Sequence, residues 1–268
     1  MRLPGKTAIV MGAGQGPGAP GVYGNGRATA LRFAQEGARV LCADRDLDSA
    51  EETARLIREA GGEADAIRCD VTREEEIAAA VARAMALWGC IDILHNNVGI
   101  SIAGGDAPPE DITVEAFDRI VAINLRGTVL AVKHVLPVMR AQLAGSITSI
   151  SSAAAVETNP NTAYKATKAA MIAFTQQVAA LNAQYGIRCN VILPGLMDTP
   201  MAVDTRARAT GRPRSDVAAE RRSRIPLRGP GGTAWDVANA ALFLNSDEAG
   251  FITGISLLVD GGRLLKPG

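Results

Sequence analysis

The sequence is poor in aromatic residues, carries no net charge and has no long apolar run. Aromatics make up 4% of its 268 residues. The core must therefore be built from aliphatic side chains, and 28 glycines suit a chain with many tight junctions between strands and helices. Lys plus Arg equals Asp plus Glu at 28 each, which leaves no global field to attract nucleic acid. No stretch reaches the roughly eighteen uninterrupted apolar residues of a membrane span, so none is expected. The opening MRLPGKTAIVMG lacks a secretory pattern, its apolar run being short and leading straight into glycines. Cys42, Cys69, Cys90 and Cys189 are scattered, with no CxxC pair. They read as reduced thiols of a cytoplasmic protein rather than disulfides or metal ligands. His95 and His134 have no metal-ligand partner at useful spacing and read as structural.

What is present is a regular alternation of short apolar runs with longer amphipathic ones. Strands are expected at Lys6–Gly12, Ala38–Asp44, Ala64–Asp70, around IDILHN, at Ser146–Ser151, at Ile187–Pro194 and around ISLLVDGG. Helical patterns fall between them: RATALRFAQEG, LDSAEETARLIREAGG, VTREEEIAAAVARAMALWG, Val114–Arg140, Thr162–Tyr185 and TAWDVANAALFLN. Thr72 with Glu75 has the spacing of a capping box, and Thr233 is placed as an N-cap. Trp88 and Trp235 fall in helices as packing residues. Strict alternation predicts right-handed crossovers and an α/β, doubly wound parallel sheet covered on both faces. No linker or repeat divides the chain, so one domain is expected over 1–268. In that architecture ligands bind at the carboxyl ends of the strands.

The residues at those ends carry the chemistry. Gly12 closes the first strand, and Gly24, Asn25 and Gly26 open the first helix. Glycines there let backbone approach a pyrophosphate, and the helix start offers free N–H groups. The second strand ends in Asp44, eighteen positions after Gly26. A carboxylate at about that offset reaches the ribose hydroxyls of a dinucleotide and repels the extra phosphate of NADP, favouring NAD. Arg45 beside it could contact that phosphate, and Asp44 could instead cap the helix beginning near Asp46. Asp70 with Val71, and Asn97 within Asn96–Gly99, are candidates for the rim of an adenine pocket. The glycine loop is also too long, with surplus residues from about Pro17 to Gly24. That bulge either arches beside the adenine–ribose half of the cofactor or is a solvated surface loop.

In TSISSAAAVETNPNTAYKATKAAM, Tyr164 and Lys168 stand four apart at a helix start and share a face. A nearby ammonium favours phenolate and lowers the tyrosine pKa, so the pair can exchange a proton with an alcohol or carbonyl oxygen. Ser152 at the preceding strand end can hold the same oxygen, with Ser151 the second candidate. Asn124 could orient a water that relays protons from the lysine.

With the glycine loop, CDVT, NNVG, Asn124, Ser152, YKATK, PGLMDT and GISLLVDGG in order, the chain resembles the short-chain dehydrogenase/reductase family, compact single-domain type, over nearly its whole length. The resemblance implies a Rossmann fold with Tyr164 as acid/base and Ser152 as polariser. It also implies Lys168 on the nicotinamide ribose and Asn124 in a proton relay. It places Met197 and Thr199 against the nicotinamide, sets a substrate lid at about 200–228, and implies a homotetramer built through the two long helices. The glycine loop departs from the family with eight extra residues, and the Ser152–Tyr164 gap is one residue shorter than usual. The lid segment holds eight arginines and only Asp204, Asp216 and Glu220 against them. It reads either as a solvated helical face or as a device for recognising an anionic substrate. The leading function is NAD-dependent interconversion of a secondary alcohol and a ketone. The alternatives are an NADPH-dependent 3-oxoacyl reductase and a non-catalytic dinucleotide sensor.

Overall fold

The structure, a computed structural model, describes residues 1–265; the last three residues of the expected domain lie outside the described residues. Its first half runs β1 (Thr7–Met11), α1 (Asn25–Gln35), β2 (Arg39–Asp44), α2 (Leu47–Glu59), β3 (Glu63–Arg68), α3 (Glu74–Trp88), β4 (Ile93–Asn96), α4 (Val114–Val121) and α5 (Gly127–Gln142). The second half runs β5 (Gly145–Ile150), α6 (Thr162–Asn182), β6 (Ile187–Pro194), β7 (Met197–Asp198), α7 (Thr205–Thr210), α8 (Arg214–Ser223), β8 (Gly232–Thr233), α9 (Ala234–Asn245) and β9 (Ser256–Val259). Seven strands form one parallel sheet in the order β3-β2-β1-β4-β5-β6-β9, while β7 and β8 make a separate short pair. The expected doubly wound Rossmann sheet is therefore present. Its strand order reverses between β1 and β4, which opens a crevice above the carboxyl ends of those strands.

Alternate residues of each strand feed two cores, because successive side chains leave a strand on opposite faces. Ile9, Leu41, Leu94 and Ile147 pack on one face with Ile77 of α3 and Val135 of α5. Val10, Val40, Ile93 and Ile192 pack on the other with Phe33 of α1, Ile57 of α2 and Val237 of α9. Burial on both faces is why the strands read as continuous apolar runs.

The helical run Val114–Gln142 is long and apolar enough to cross a membrane by length and composition alone. Ala131, Val132, Val135 and Met139 instead place it as a core helix on the sheet. It is not one regular helix: a wider π turn at Ala122–Arg126 separates α4 from α5. The expected capping box at Thr72 is absent. Thr72 is captured by Asp70, whose Oδ1 accepts from its N–H at 2.9 Å and its hydroxyl at 2.7 Å, and α3 starts after Arg73 without a side-chain cap. Thr233 does cap α9, with Asp236 completing the box.

Candidate active site

The glycine loop joins β1 to α1 by direct backbone contact. A Cβ at Gly26 would overlap the Gly12 carbonyl oxygen, and that oxygen also accepts from Asn97 Nδ2 at 3.0 Å. Gly12 itself has φ +80°, a left-handed conformation that glycine adopts at little cost. Gly24 precedes α1 with no side-chain cap, so the first-turn N–H groups stay open to the crevice. Asn25 Oδ1 is buried there and has no hydrogen-bond partner among the described residues. An uncapped helix start with close backbone approach fits a dinucleotide pyrophosphate.

Asp44 stands at the end of β2. Its Oδ2 accepts from Gly14 N at 2.9 Å and its Oδ1 from Asp46 N at 3.1 Å. The cap of α2 is Asp46, which accepts from Ser49 N, so the capping role considered for Asp44 falls to its neighbour. Burial pushes the Asp44 carboxyl above its ordinary value, against its backbone hydrogen bonds.

Gln15 closes the inserted bulge. Its Nε2 donates to Val22 O at 2.9 Å and its Oε1 accepts from Gly24 N at 2.7 Å. A Cβ on Gly18 would come within 2.6 Å of the Pro200 ring, and Tyr23 meets Trp235 edge-on at 5.5 Å. The bulge therefore packs toward Pro200 and toward α9, while its start at Gln15 stays hydrogen-bonded to Ser49 of α2, close to Asp44. Two packed rings and a side-chain staple hold its flanks, while Gly16, Pro17, Gly18, Pro20 and Gly21 are exposed.

One cavity of about 750 Å³ lies above the strand ends. Every expected cofactor residue lines it, from Gly12 and Gly24–Gly26 across Asp44, Arg45, Asp70 and Val71 to Asn97, Met197 and Thr199. Ser151, Ser152, Tyr164 and Lys168 line its other end. Asn124 does not: it is fully buried in the π turn. Its Oδ1 accepts from Ile100 N at 2.8 Å, and its Nδ2 donates to Ile100 O at 2.9 Å. These bonds tie the side chain to the Ile100 backbone in the cavity wall.

The two serines differ in freedom. Ser151 donates its hydroxyl to Lys168 O at 2.6 Å and is buried. Ser152 Oγ accepts from Ala154 N at 3.1 Å, and its hydroxyl lies near enough to the Tyr164 phenol to lower that group's pKa. Lys168 is buried, with Nζ donating to Ile150 O at 2.6 Å and 5.7 Å from the Tyr164 ring centre. Burial lowers the Lys168 ammonium to about 8. The phenol is pushed up by burial, a shift opposed by Ser152, Arg206 and Arg221. The expected lowering by Lys168 is thus not the governing effect, because the same desolvation disfavours both charged forms.

The loop before α4 sets the start of α6, which no sequence pattern indicated. Asp106 Oδ1 accepts from Ala163 N at 3.0 Å and Oδ2 from Tyr164 N at 2.9 Å. Thr162 donates its hydroxyl to Ala107 O at 2.8 Å, and Asn161 Nδ2 donates to Ser101 Oγ at 2.9 Å. The Asp106 contact spans 58 residues, so local spacing holds no signal for it. The histidines lie in hydrogen-bonded contacts: buried His95 bonds Thr148 through Nδ1 at 2.7 Å, and His134 Nε2 meets Glu74 at 2.9 Å.

Comparison with known proteins agrees with this geometry. A family model described as "Enoyl-(Acyl carrier protein) reductase" matches residues 18–263. The 2,5-dichloro-2,5-cyclohexadiene-1,4-diol dehydrogenase of Sphingobium indicum is 38% identical over 262 residues, covering 97% of each chain. A solved structure from Burkholderia xenovorans, described as a short-chain dehydrogenase/reductase, superposes with a TM-score of 0.91 at 41% identity, covering 100% of this chain and 99% of that one. A 7α-hydroxysteroid dehydrogenase complexed with NADH and 7-oxo glycochenodeoxycholic acid superposes with a TM-score of 0.85 at 34% identity, covering 97% and 95%. The chain belongs to the short-chain dehydrogenase/reductase family, oxidoreductases that act on CH–OH groups.

Proposed function

We propose that the protein is an NAD-dependent dehydrogenase that interconverts a secondary alcohol and a ketone, with residues 200–228 as a lid over the substrate. The observation that carries this reading is the convergence of Ser152, Tyr164 and Lys168 in one cleft with the uncapped start of α1. Gly12, Gly24, Asn25, Gly26, Asp44, Arg45, Asp70, Val71, Asn97, Met197 and Thr199 would hold NAD, which when bound supplies the hydride acceptor for the alcohol carbon. Tyr164 takes the hydroxyl proton as the carbonyl forms and returns it in the reverse direction. Ser152 donates a hydrogen bond to the same oxygen. Lys168, fixed by Ile150 O, holds a proton beneath the phenol, and its value near 8 lets it exchange that proton close to neutral pH. Asn124 acts at one remove, keeping the Ile100 backbone in place.

NAD is preferred because the Asp44 carboxylate opposes a 2′-phosphate, although Arg45 stands beside it. Four unpaired cysteines support a reducing cytoplasmic setting. Exposed Val114 and Phe117 on α4 offer apolar surface for a homotetramer. The decisive variant is Tyr164→Phe, measured by turnover of secondary alcohols and by fluorescence titration with NADH. Turnover should fall by roughly 10²–10⁴-fold, the contribution of a general acid–base group, while NADH binding persists. Unchanged turnover overturns the mechanism, and a higher kcat/KM with NADP than with NAD overturns the assignment of Asp44.

A further inference from the structure

The lid arginines are not alike. Arg212 and Arg224 both bind Glu220, at 2.7 and 2.6 Å. Arg214 binds Asp198 and Asp204. Arg222 lies under Gly231 beside a separate small cavity. Only Arg206, Arg208 and Arg221 line the main cavity, and Arg208 is exposed.

Arg206 and Arg221 are half-buried and, among the described residues, form no ion pair. Arg206 makes one hydrogen bond, from Nη1 to Ala202 O at 2.7 Å. Arg221 reaches Met197 O at 3.4 Å, and its Nε is buried with no partner among the described residues. The carboxylates that could neutralise them are taken. Arg214 holds Asp198 and Asp204, and Arg263 holds Glu157. Both guanidiniums act on the Tyr164 phenol, so they belong to the catalytic end of the cleft. Burial, followed by the charges of Arg206 and Arg263, lowers Arg221 to about 10. Two neighbouring cations with open donors in a partly desolvated wall are unfavourable until an anion joins them.

We propose that Arg206 and Arg221 form a carboxylate clamp, so that the alcohol or ketone turned over beside Tyr164 carries an acid group. The inference rests on the dehydrogenase reading above and adds the substrate class. Each guanidinium presents a planar fork of donors that matches a carboxylate. The competing anion is the cofactor pyrophosphate, for which the start of α1 already provides a separate site.

The test uses 4-hydroxycyclohexanecarboxylate and its methyl ester as matched substrates with NAD. The wild-type enzyme should favour the acid by at least about ten-fold in kcat/KM, about 1.4 kcal/mol. Arg206→Gln and Arg221→Gln should each bring that preference close to unity, mainly through KM, while the lid control Arg212→Gln retains it. Equal use of acid and ester by the wild type overturns the proposal. So does a rise in the KM for NAD in place of the lost preference, which assigns the arginines to the cofactor. Thermal-shift titration with benzoate against benzamide, in the presence of NADH, reads the same site without turnover. Benzoate alone should stabilise the wild type and should fail to stabilise either arginine variant; equal shifts from the two compounds overturn the clamp. Tyr164→Phe should keep the benzoate response, so failure of the mechanism and failure of the clamp give different results.

Discussion

Replacing Asp106 by alanine should damage catalysis from outside the reacting residues. Its carboxylate accepts from the N–H groups of Ala163 and Tyr164, at 3.0 and 2.9 Å, and α6 has no side-chain cap of its own from Asn161. Asp106 is thus an N-cap delivered from a distant loop. Loss of an N-cap costs about 0.5–2 kcal/mol, and loss of a negative charge at a helix N-terminus adds about 0.3–1 kcal/mol. A total near 2 kcal/mol corresponds to roughly 4–8 °C in Tm for a chain of this size. The functional loss should be larger than that figure suggests, because Tyr164 sits in the first turn of the released helix. Misplacement of a catalytic group by about 1 Å can cost ~10²-fold in rate. Thermal unfolding and steady-state kinetics on Asp106→Ala and Asp106→Asn measure both effects. The alanine variant should lose kcat far more than affinity for NADH, and the asparagine variant, which keeps one acceptor oxygen, should lie between it and the wild type. A lowered Tm with unchanged kcat would reduce Asp106 to a stabilising cap, and wild-type values for both would refute the reasoning.

Gly26→Ala drives a methyl group into the Gly12 carbonyl and toward Asn97 Nδ2. Overpacking of that kind costs about 1–3 kcal/mol, and NADH titration should show at least about ten-fold weaker binding; near-normal affinity would contradict the close packing of β1 on α1. Gln15→Ala removes both ends of the staple across the bulge. Limited proteolysis should then cut within residues 16–23 faster than in the wild type, and equal rates would show that the packed rings hold the bulge unaided. His95 is buried, and burial lowers its imidazole to about 3, against an ordinary value near 6.5. The folded state therefore refuses a proton that the unfolded chain accepts. Stability from this site is full above pH ~6.5 and is lost, on the order of a few kcal/mol, as pH falls toward 3. Urea unfolding of His95→Gln should give a flatter acid limb between about pH 6.5 and 4 than the wild type, and parallel curves would clear His95 of the effect.

The sequence by itself determined the sheet and most of the cleft. Strand runs such as TAIVM and IRCNVILP are mostly apolar because both faces are covered, and their ends fix which residues meet at the crevice. Gly12, Gly26, Asp44, Ser152, Tyr164 and Lys168 were legible because each lies next to a strand end or helix start. Chain order there translates directly into position. Tertiary structure decided what depends on contacts between distant segments. It placed Asp106 at the start of α6, tied the Asn124 side chain to the Ile100 backbone, and leaned the glycine-loop bulge on Pro200 and Trp235. It also sorted the lid arginines, matching Arg212, Arg214 and Arg224 with carboxylates and leaving the half-buried Arg206 and Arg221 on the cavity wall. Local spacing encodes periodicity and termini. The neutralisation of a charge, or the filling of a hydrogen bond, depends on which remote group the folded backbone brings within about 3 Å.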